Sequence, residues 1–310
     1  MKAVVLTNWG GPENFTIQDV PKPTIQANEV LVKVRAFGVN PADFKTRTGN
    51  APYSQKYSHP IILGWDMAGE IEEVGSDVTD FKTGDPVYGM VNFPEPGQTY
   101  AEYVASPAAH LALKPATLSF EEAAAAPLAV LTAWQALTEH GHLQAGEKVL
   151  IQAASGGVGH LGVQLAKALG ARVIGTASGK NEAFVRSLGA DEFIDYTQNN
   201  IEEAVHNIDL VFDTAGADTI FASANALKLN GRLISIAYGA MDKVLAVRPD
   251  IQAERILVHT SGDDLRVINQ LIDEGKLKIT VSQVLPADQM AEAHRQLESR
   301  RTTGKIVLTF

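Results

Sequence analysis

The sequence predicts an α/β protein with a doubly wound parallel sheet and a second, β-rich domain. Segments with strand and helix patterns alternate between Phe120 and about His259, and such alternation is typical of a parallel sheet covered by helices. One apolar strand in this region ends in a turn of small residues and continues as a helix. The preceding part of the chain is instead rich in short strands, Gly and Pro, which is typical of a separate β domain.

Short apolar runs separated by turn residues define the N-terminal part. Its predicted strands are Ala3–Leu6, Glu29–Ala36, Met67–Val74 and Pro86–Met90. Gly38–Pro52 is predicted to be a loop. The segment Val91–Gln98 holds two prolines and a glycine, and it is predicted to be irregular because proline cannot donate a backbone hydrogen bond.

Six strands with helical crossovers are expected in the middle of the chain, after helices at Glu121–Ala126 and Leu128–Leu137. These strands are Val149–Ile151, Arg172–Thr176, Glu192–Ile194, Asp209–Phe212, Arg232–Ile236 and Ile256–Val258. Six strands complete a doubly wound nucleotide fold. The remaining helices Asp263–Glu274 and Gln289–Glu298 and the strand Lys305–Thr309 are therefore expected to return to the N-terminal domain. The predicted domains are 1–122 with 263–310, and 123–262.

The turn after the strand Val149–Ile151 carries the most informative motif. Ala153, Gly156 and Gly159 have the spacing of a dinucleotide fingerprint, with Ala in the first place. Small residues there let the backbone approach a pyrophosphate, whose charge is stabilised by the N-terminus of the helix Val158–Leu169. The sequence predicts a Rossmann dinucleotide site lined by Ala153, Ser155, Gly156, Gly157, Val158 and Gly159.

The end of the second strand predicts which dinucleotide binds. NAD sites place an acidic residue about 20 positions after the fingerprint, on the ribose hydroxyls. No carboxylate follows Arg172–Thr176 directly, and Glu182 lies in the next helix. Ser178 and Lys180 instead offer a hydroxyl and a cation, which suit a ribose 2′-phosphate. NADP(H) is therefore the predicted cofactor, with Lys180 as an ordinary solvated lysine the alternative.

Composition excludes several classes of partner. A formal net charge of −10 argues against nucleic acid and anionic membrane surfaces. Cysteine is absent from the sequence, which excludes disulfides and thiolate metal sites. No apolar segment is long enough to span a bilayer, and the apolar run in Met1–Leu6 is too short for a signal peptide. We expect a soluble, cytoplasmic protein.

Seven motifs give the chain a family resemblance. They are Gly38–Asp43, Gly64–Gly69, Gly84–Gly89, Tyr100–Tyr103, Pro127–Trp134, Ala153–Gly159 and Gly304–Leu308. In this order they resemble the medium-chain dehydrogenase/reductase superfamily, and within it the zinc-independent quinone oxidoreductases, the zeta-crystallin-like and enone-reductase group. The resemblance covers essentially the whole chain. It implies a GroES-like β-rich substrate domain beside the Rossmann domain, and a homodimer.

Departures from the zinc alcohol dehydrogenases of this superfamily predict the chemistry. Asn40 stands where those enzymes have a cysteine ligand, and Gly64-Trp65-Asp66 stands where they have Gly-His-Glu. The histidines, among them His59, His110, His140 and His142, show no ligand spacing, so no metal site is predicted. Without a Lewis acid, ketone reduction lacks its main charge stabilisation, whereas a hydroquinone anion or enolate is delocalised and needs only hydrogen-bond donors.

The predicted activity is therefore reduction of quinones or α,β-unsaturated carbonyls by NADPH. Two alternatives stay open. One is a metal-free alcohol or aldehyde reductase, and the other is a non-catalytic NADPH-binding protein, either a sensor or a crystallin-like protein. The substrate itself cannot be inferred from the fold, because function lies in the pocket.

The resemblance also implies the site residues. Asn40 should lie near the nicotinamide, and Lys45 should bind its ribose or relay a proton, unless it is an ordinary solvated lysine. Tyr53 is a candidate donor to a substrate oxygen, with plain packing as the alternative. Asp43 and Asp66 are expected to fix loops and backbone amides.

Further cofactor contacts are implied residue by residue. Thr132 should lie near the nicotinamide carboxamide, Tyr196 beside the adenosine phosphate, and Thr214 with Gly216 on the adenine side. The ends of the last two predicted strands should flank the nicotinamide, through Ile236, Ala237 and Tyr238 and through Val258–Thr260. Arg300 and Lys305 are candidate phosphate contacts, or else part of a solvated basic cluster.

Overall fold

The computed structural model describes residues 1–58, 60–216, 219–237 and 241–310. Its strands are β1 (Lys2–Leu6), β2 (Phe15–Asp19), β3 (Glu29–Gly38), β4 (Ile61–Ile62), β5 (Asp66–Val74), β6 (Pro86–Met90), β7 (Tyr103–Pro107), β8 (Leu111–Leu113), β9 (Lys148–Ile151), β10 (Arg172–Ala177), β11 (Glu192–Asp195), β12 (Ile208–Asp213), β13 (Leu227–Ser235), β14 (Gln252–Arg255), β15 (Val281–Pro286) and β16 (Lys305–Thr309). Its α-helices are α1 (Pro41–Arg47), α2 (Phe120–Ala125), α3 (Pro127–Gln135), α4 (Gly159–Ala168), α5 (Glu182–Ser187), α6 (Ile201–Ala204), α7 (Thr219–Ala226), α8 (Met241–Val247), α9 (Gly262–Asp273) and α10 (Met290–Glu298). Within this described part, no helix combines the length and the apolar character needed to cross a bilayer.

The chain forms two compact units. The first unit comprises 1–131, 259–274 and 279–310, and the second comprises 132–258 and 275–278. Residues 123–131 and 259–262, which the sequence analysis assigned to the nucleotide-binding domain, belong to the first unit by their contacts. The predicted fold class, a doubly wound α/β domain with a β-rich second domain, is confirmed.

The second unit is built on a six-stranded parallel sheet. Its strand order is β11-β10-β9-β12-β13-β14, so the first strand in sequence lies in the middle and the order reverses beside it. Ligands of doubly wound sheets bind at that reversal, outside the carboxyl ends of the strands. Leu150 in β9 pairs with Ile174 in β10 on one side and with Val211 in β12 on the other. All three side chains are buried, which explains why these strands are short continuous apolar runs.

The sixth strand was placed wrongly from the sequence. The strand is β14, Gln252–Arg255, which pairs in parallel with β13, whereas the predicted segment Ile256–Val258 follows it. Ile256 and Val258 are buried, so their apolar pattern reflects burial beyond the strand. Among the described strands β14 pairs with β13 alone, and it carries Gln, Glu and Arg. A search for short apolar runs therefore does not find it.

The first unit contains a mostly antiparallel sheet of seven strands. Its order is β15-β16-β3-β5-β6-β8, with β7 also paired to β3, and a smaller sheet has the order β2-β1-β4. β16 pairs antiparallel with β3, Leu308 opposite Phe37, so the C-terminal strand returns to the N-terminal sheet as predicted. Phe37 and Tyr100 are fully buried in the core of this unit, with ring centroids 5.3 Å apart, and burying such a side chain stabilises by about 1.5–3 kcal/mol.

The segment Gly38–Pro52, predicted to be a loop, contains a helix. Asn40 is the N-cap of α1, Pro41 occupies its first position, and the carboxylate of Asp43 accepts the backbone N–H of Asn40 at 2.6 Å. The prediction of a loop overlooked these helix-start signals. Four more strands were not predicted because they are short or partly exposed. They are β2, β7, β8 and β15.

Candidate active site

Asn40 forms the centre of a buried polar cluster in the first unit. Its side chain is only 1% exposed, although it carries an amide. The amide nitrogen donates a hydrogen bond to Asp66 Oδ2 at 2.8 Å. The amide oxygen accepts one from the ammonium group of Lys305. Both polar ends of the amide are therefore satisfied by charged side chains inside the protein.

Lys305 is buried inside the first unit rather than on its surface. Its side chain, at the start of β16, is 4% exposed, and Nζ also donates to the Val39 carbonyl at 3.2 Å. The expected phosphate contact is therefore not open to this residue. Sequence reasoning missed its place beside Asn40. The available signal was a lysine opening the apolar strand Lys305–Thr309, in the motif that starts at Gly304.

Asp66 connects this cluster to a helix. Oδ1 accepts the backbone N–H of Leu128, in the first turn of α3, at 2.8 Å, and Oδ2 lies 3.8 Å from Lys305 Nζ. Burial raises the pKa of Asp66, while the Lys305 ammonium and the Asn40 amide act in the opposite direction. Burial likewise lowers the pKa of Lys305, opposed by the Asp66 carboxylate. Asp66 thus fixes a backbone amide, as predicted.

Asp43 is a second buried carboxyl group next to Asn40. Burial raises its pKa to about 7, while the hydrogen bond from the Asn40 backbone pulls the value down. Oδ1 of Asp43 has no hydrogen-bond partner among the described residues.

His294 is a buried histidine of the same unit. Its Nε2 lies 3.5 Å from the hydroxyl of the buried Tyr100. Burial lowers the pKa of His294 to about 3, and the nearby Arg47 guanidinium lowers it further.

The other two candidate catalytic residues, Lys45 and Tyr53, are not fully buried. Lys45 is an exposed residue of α1. Tyr53 is half-buried, and its ring packs edge-on against Trp65, with centroids 6.2 Å apart, and against Phe93 at 5.6 Å. These ring contacts give Tyr53 a packing role.

In the second unit the small-residue turn between β9 and α4 is tightly folded. Ala153 adopts φ +45°, a left-handed conformation that side chains rarely take, and its carbonyl accepts the N–H of Gly156 at 2.8 Å. A Cβ atom on Gly159 would lie 2.2 Å from the Ala153 carbonyl oxygen. Gly159 is therefore required for the chain to turn directly into α4.

The remaining predicted contacts of this unit follow the carboxyl ends of neighbouring parallel strands. Ser178 follows β10, Thr214 and Gly216 follow β12, and Ile236 and Ala237 follow β13. The carboxyl ends of parallel strands lie along one edge of a sheet, so the fold brings these residues to the edge that carries the turn after β9. Tyr238 lies outside the described residues.

A buried carboxylate that the sequence analysis did not identify organises this edge. Asp213, the last residue of β12, accepts the backbone N–H groups of Ala215 at 3.1 Å and Gly216 at 2.8 Å through Oδ1. Its Oδ2 accepts the Ser235 hydroxyl, at the end of β13, at 2.6 Å. Asp213 thereby fixes two of the loops along the edge.

Ser178, Lys180 and Tyr196 lie near one another in this unit. Lys180 is exposed, Tyr196 is 54% exposed, and the Tyr196 backbone N–H bonds to the carbonyl of Ala177, next to Ser178. A carboxylate joins them: Asp195 pairs with Ala177, and a Cβ on Gly179 would lie 2.5 Å from its Oδ2. The sequence search along β10 missed this acid because the neighbouring strand supplies it.

Two further predicted cofactor contacts belong to other elements. Thr132 is buried in α3, one helical turn beyond Leu128. Arg300 is exposed after α10, at φ +54°.

Comparison with known proteins identifies the family. Residues 26–116 match the alcohol dehydrogenase GroES-like domain family, and residues 188–308 match the zinc-binding dehydrogenase family. The chloroplastic NADPH-dependent alkenal/one oxidoreductase of Arabidopsis thaliana is 36% identical over 318 residues, covering 99% of this chain and 79% of that protein. The chain belongs to the medium-chain dehydrogenase/reductase superfamily.

Two solved structures of this superfamily share the whole fold. The quinone oxidoreductase from Coxiella burnetii has a TM-score of 0.94 at 36% identity, covering 100% of this chain and 99% of that one. Escherichia coli quinone oxidoreductase complexed with NADPH has a TM-score of 0.89 at 29% identity, with 100% of both chains covered. The predicted family and the predicted oxidoreductase class are confirmed.

Within the medium-chain dehydrogenase/reductase fold, the positions that sequence analysis compared with metal ligands carry other groups. Asn40 is bonded to Asp66 and Lys305, as described above. Trp65 is fully buried, and its indole nitrogen donates to the carbonyl of Glu95 at 2.8 Å. An indole N–H is a donor only and offers no lone pair to a metal ion.

Proposed function

We propose that the protein is a zinc-independent oxidoreductase that transfers hydride from NADPH to quinones or to the conjugated C=C bond of α,β-unsaturated carbonyls. The observation that carries this proposal is the buried cluster of Asn40, Asp66 and Lys305, which replaces metal-binding side chains with a hydrogen-bonded amide. The named activities of the Arabidopsis and Coxiella relatives support the same reaction class.

The residues present in the second unit fit NADPH. The turn Ala153–Gly159 leaves no room for a Cβ at Gly159 and leads into the N-terminus of α4, which suits a pyrophosphate. Ser178, Lys180 and Tyr196 would hold the 2′-phosphate, and Thr132, Thr214, Gly216, Ile236, Ala237, Tyr238 and Arg300 are proposed as the other contacts. When bound, NADPH supplies the hydride.

The chain itself has to bind the substrate and stabilise the anion left after hydride addition. An enolate or hydroquinone anion is delocalised, so a few donors suffice. We assign Asn40 to the positioning of the reacting groups and Lys45 to binding or protonation, since an exposed ammonium can exchange its proton with water. Tyr53 remains a weaker candidate because its ring is engaged in packing with Trp65 and Phe93.

Assembly and location complete the proposal. We propose a cytoplasmic homodimer in which the β14 edge is covered by the partner subunit. Among the described strands, β14 has β13 as its single sheet neighbour, while β13 is paired on both sides, so β14 is the free edge at this end of the sheet. The second unit also exposes apolar side chains, with Leu257 at 49% and Val247 at 62%.

The deciding experiment follows deuterium from labelled NADPH into an enone. Deuterium at the β-carbon of a saturated ketone is the expected result. An allylic alcohol labelled at the former carbonyl carbon would favour the alcohol or aldehyde reductase instead. NADPH binding without turnover of any quinone, enone or aldehyde would favour the non-catalytic alternative.

A further inference from the structure

The two charged neighbours of Asn40 have opposite hydrogen-bonding characters. The ammonium of Lys305 can only donate, and the ionised carboxylate of Asp66 can only accept. The amide oxygen must therefore face Lys305 and the amide nitrogen must face Asp66, as the structure has them. A flipped amide would set its N–H groups against an ammonium and its oxygen against a carboxylate. The pair thus selects one of the two orientations of this amide.

Burial makes this selection strong. Asn40 is 1% exposed, Asp66 is fully buried, and the side chain of Lys305 is 4% exposed. Water cannot compete for these donors and acceptors, so each misplaced polar contact would be left unsatisfied. The three residues come from the N-cap of α1, the start of β5 and the start of β16. The amide is therefore oriented by the tertiary fold rather than by its own helix.

We infer that Lys305 is a positioning residue: its ammonium, together with Asp66, holds the Asn40 amide in the single orientation that hydride transfer requires. This inference rests on the proposed function, which gives Asn40 its place at the reacting groups. Turnover then depends on the Lys305 ammonium, which β16 supplies, although Lys305 need not touch substrate or cofactor.

The test is a double-mutant cycle with Lys305→Met and Asn40→Ala, measured as kcat with an enone at saturating NADPH. Lys305→Met should lower kcat by about 10- to 100-fold, less than the roughly 100- to 1,000-fold that loss of a preorganised donor itself costs, with the Kd for NADPH within about twofold of wild type. In the Asn40→Ala background the same substitution should change kcat by less than about twofold, because the amide it orients is absent. Lys22→Met, an exposed lysine of the same unit paired with Glu72, is the matched control and should leave kcat unchanged.

Loss of a buried cation can prevent folding, because Asp66 would keep an uncompensated charge. The charge-balanced pair Lys305→Met with Asp66→Asn removes that charge and also removes the selection between amide orientations. It should fold and show the same loss of kcat. Equal losses from Lys305→Met with and without Asn40, or a parallel loss of NADPH binding, would overturn the inference in favour of a purely structural lysine.

The native protein offers a measurement independent of activity. The side-chain amide protons of Asn40, assigned in NMR spectra by their loss in Asn40→Ala, should be resolved and strongly protected from exchange with solvent. Free rotation or rapid exchange would contradict the inference even if the enzyme reduces enones. Protected amide protons in a protein that reduces no enone or quinone would instead contradict the proposed function.

Discussion

Asp43 accepts the backbone N–H of Asn40 through one carboxyl oxygen, at 2.6 Å, while its other oxygen is buried without a partner among the described residues. A carboxylate in that setting loses more hydration than the Asn40 backbone, the Tyr100 hydroxyl and the Lys305 ammonium return. Burial accordingly raises the pKa of Asp43 to about 7, and burial lowers the pKa of His294 to about 3. The folded protein therefore keeps Asp43 protonated and His294 neutral through the mildly acidic range.

The first prediction is that Asp43 and His294 make the free energy of unfolding depend on pH in opposite directions. Folded Asp43 binds its proton more tightly than the unfolded chain, so its contribution to the free energy of unfolding is lost as pH rises from about 4 to about 7. Folded His294 binds its proton more weakly, so its contribution is lost as pH falls from about 6.5 to about 3.

Urea unfolding between pH 4.5 and 6.5 checks this. Relative to wild type, Asp43→Asn should gain stability as pH rises, by up to about 1.4 kcal/mol per pH unit. His294→Phe, which keeps a ring against Phe15, should show the opposite trend relative to wild type. Trends of the same sign in the two variants, or no trend in either, would contradict the assignment of their protonation states.

The second prediction concerns cofactor preference. Lys180→Ala should weaken NADPH binding by about 10- to 100-fold and hardly change NADH binding, because only NADPH carries the 2′-phosphate that a lysine can neutralise. Arg186→Ala removes an exposed cation from α5, where Arg186 pairs with Glu182, and should leave both affinities nearly unchanged. Titration of cofactor fluorescence at fixed ionic strength gives the two dissociation constants. Equal losses for both cofactors would assign Lys180 a structural role.

Substitution of Asp195 should have the opposite effect on NADPH affinity from substitution of Lys180. Its carboxylate lies against Gly179 and accepts the N–H of Thr197 at 2.9 Å and its hydroxyl at 2.7 Å. Asn at this position keeps an acceptor for Thr197 but removes a negative charge near the 2′-phosphate. Asp195→Asn should therefore strengthen NADPH binding by about two- to fivefold at low salt, an effect that added salt should reduce.

The third prediction is that the purified protein contains no stoichiometric zinc and that chelators leave its activity unchanged. Asn40 and Trp65 occupy the positions compared with metal ligands, and both are engaged in hydrogen bonds within the protein. Elemental analysis of protein expressed in zinc-supplemented medium is the measurement. About one zinc per chain, lost together with activity on dialysis against a chelator, would contradict the proposal.

The fourth prediction is dimerisation through the β14 edge. Light scattering at micromolar concentration should give twice the mass of the chain, which is 33.2 kDa. Ala253→Pro should shift the protein toward monomer, because proline removes a ladder donor from an edge strand. Ile17→Pro in β2, the outer strand of the smaller sheet in the first unit, likewise removes an N–H that faces away from the paired strand; it is the matched control and should leave the mass unchanged.

The sequence predicted the doubly wound sheet well because Leu150, Ile174 and Val211 belong to strands buried on both faces, where composition is uniformly apolar. The family resemblance singled out Asn40 as a candidate, and the structure places this residue in a buried cluster with Asp66 and Lys305. It could not place Lys305 beside Asn40, since 265 residues separate them and no local pattern encodes a pairing of β16 with β3. Asp195 was missed for a similar reason, because adjacency between parallel strands is a property of the sheet and not of spacing along the chain.

The position of Lys305 has a consequence for how the protein is made. During synthesis Asn40 and Asp66 leave the ribosome early, and their cation follows 265 residues after Asn40, a delay on the order of tens of seconds. Until β16 arrives, closing the first unit would bury an acid with no counterion, at a cost of several kcal/mol. The unit should therefore stay open to chaperones while the entire second unit emerges and folds. A chain cut short before Lys305 would lack both β16 and the counterion of Asp66, so its first unit would close less stably than that of the full chain.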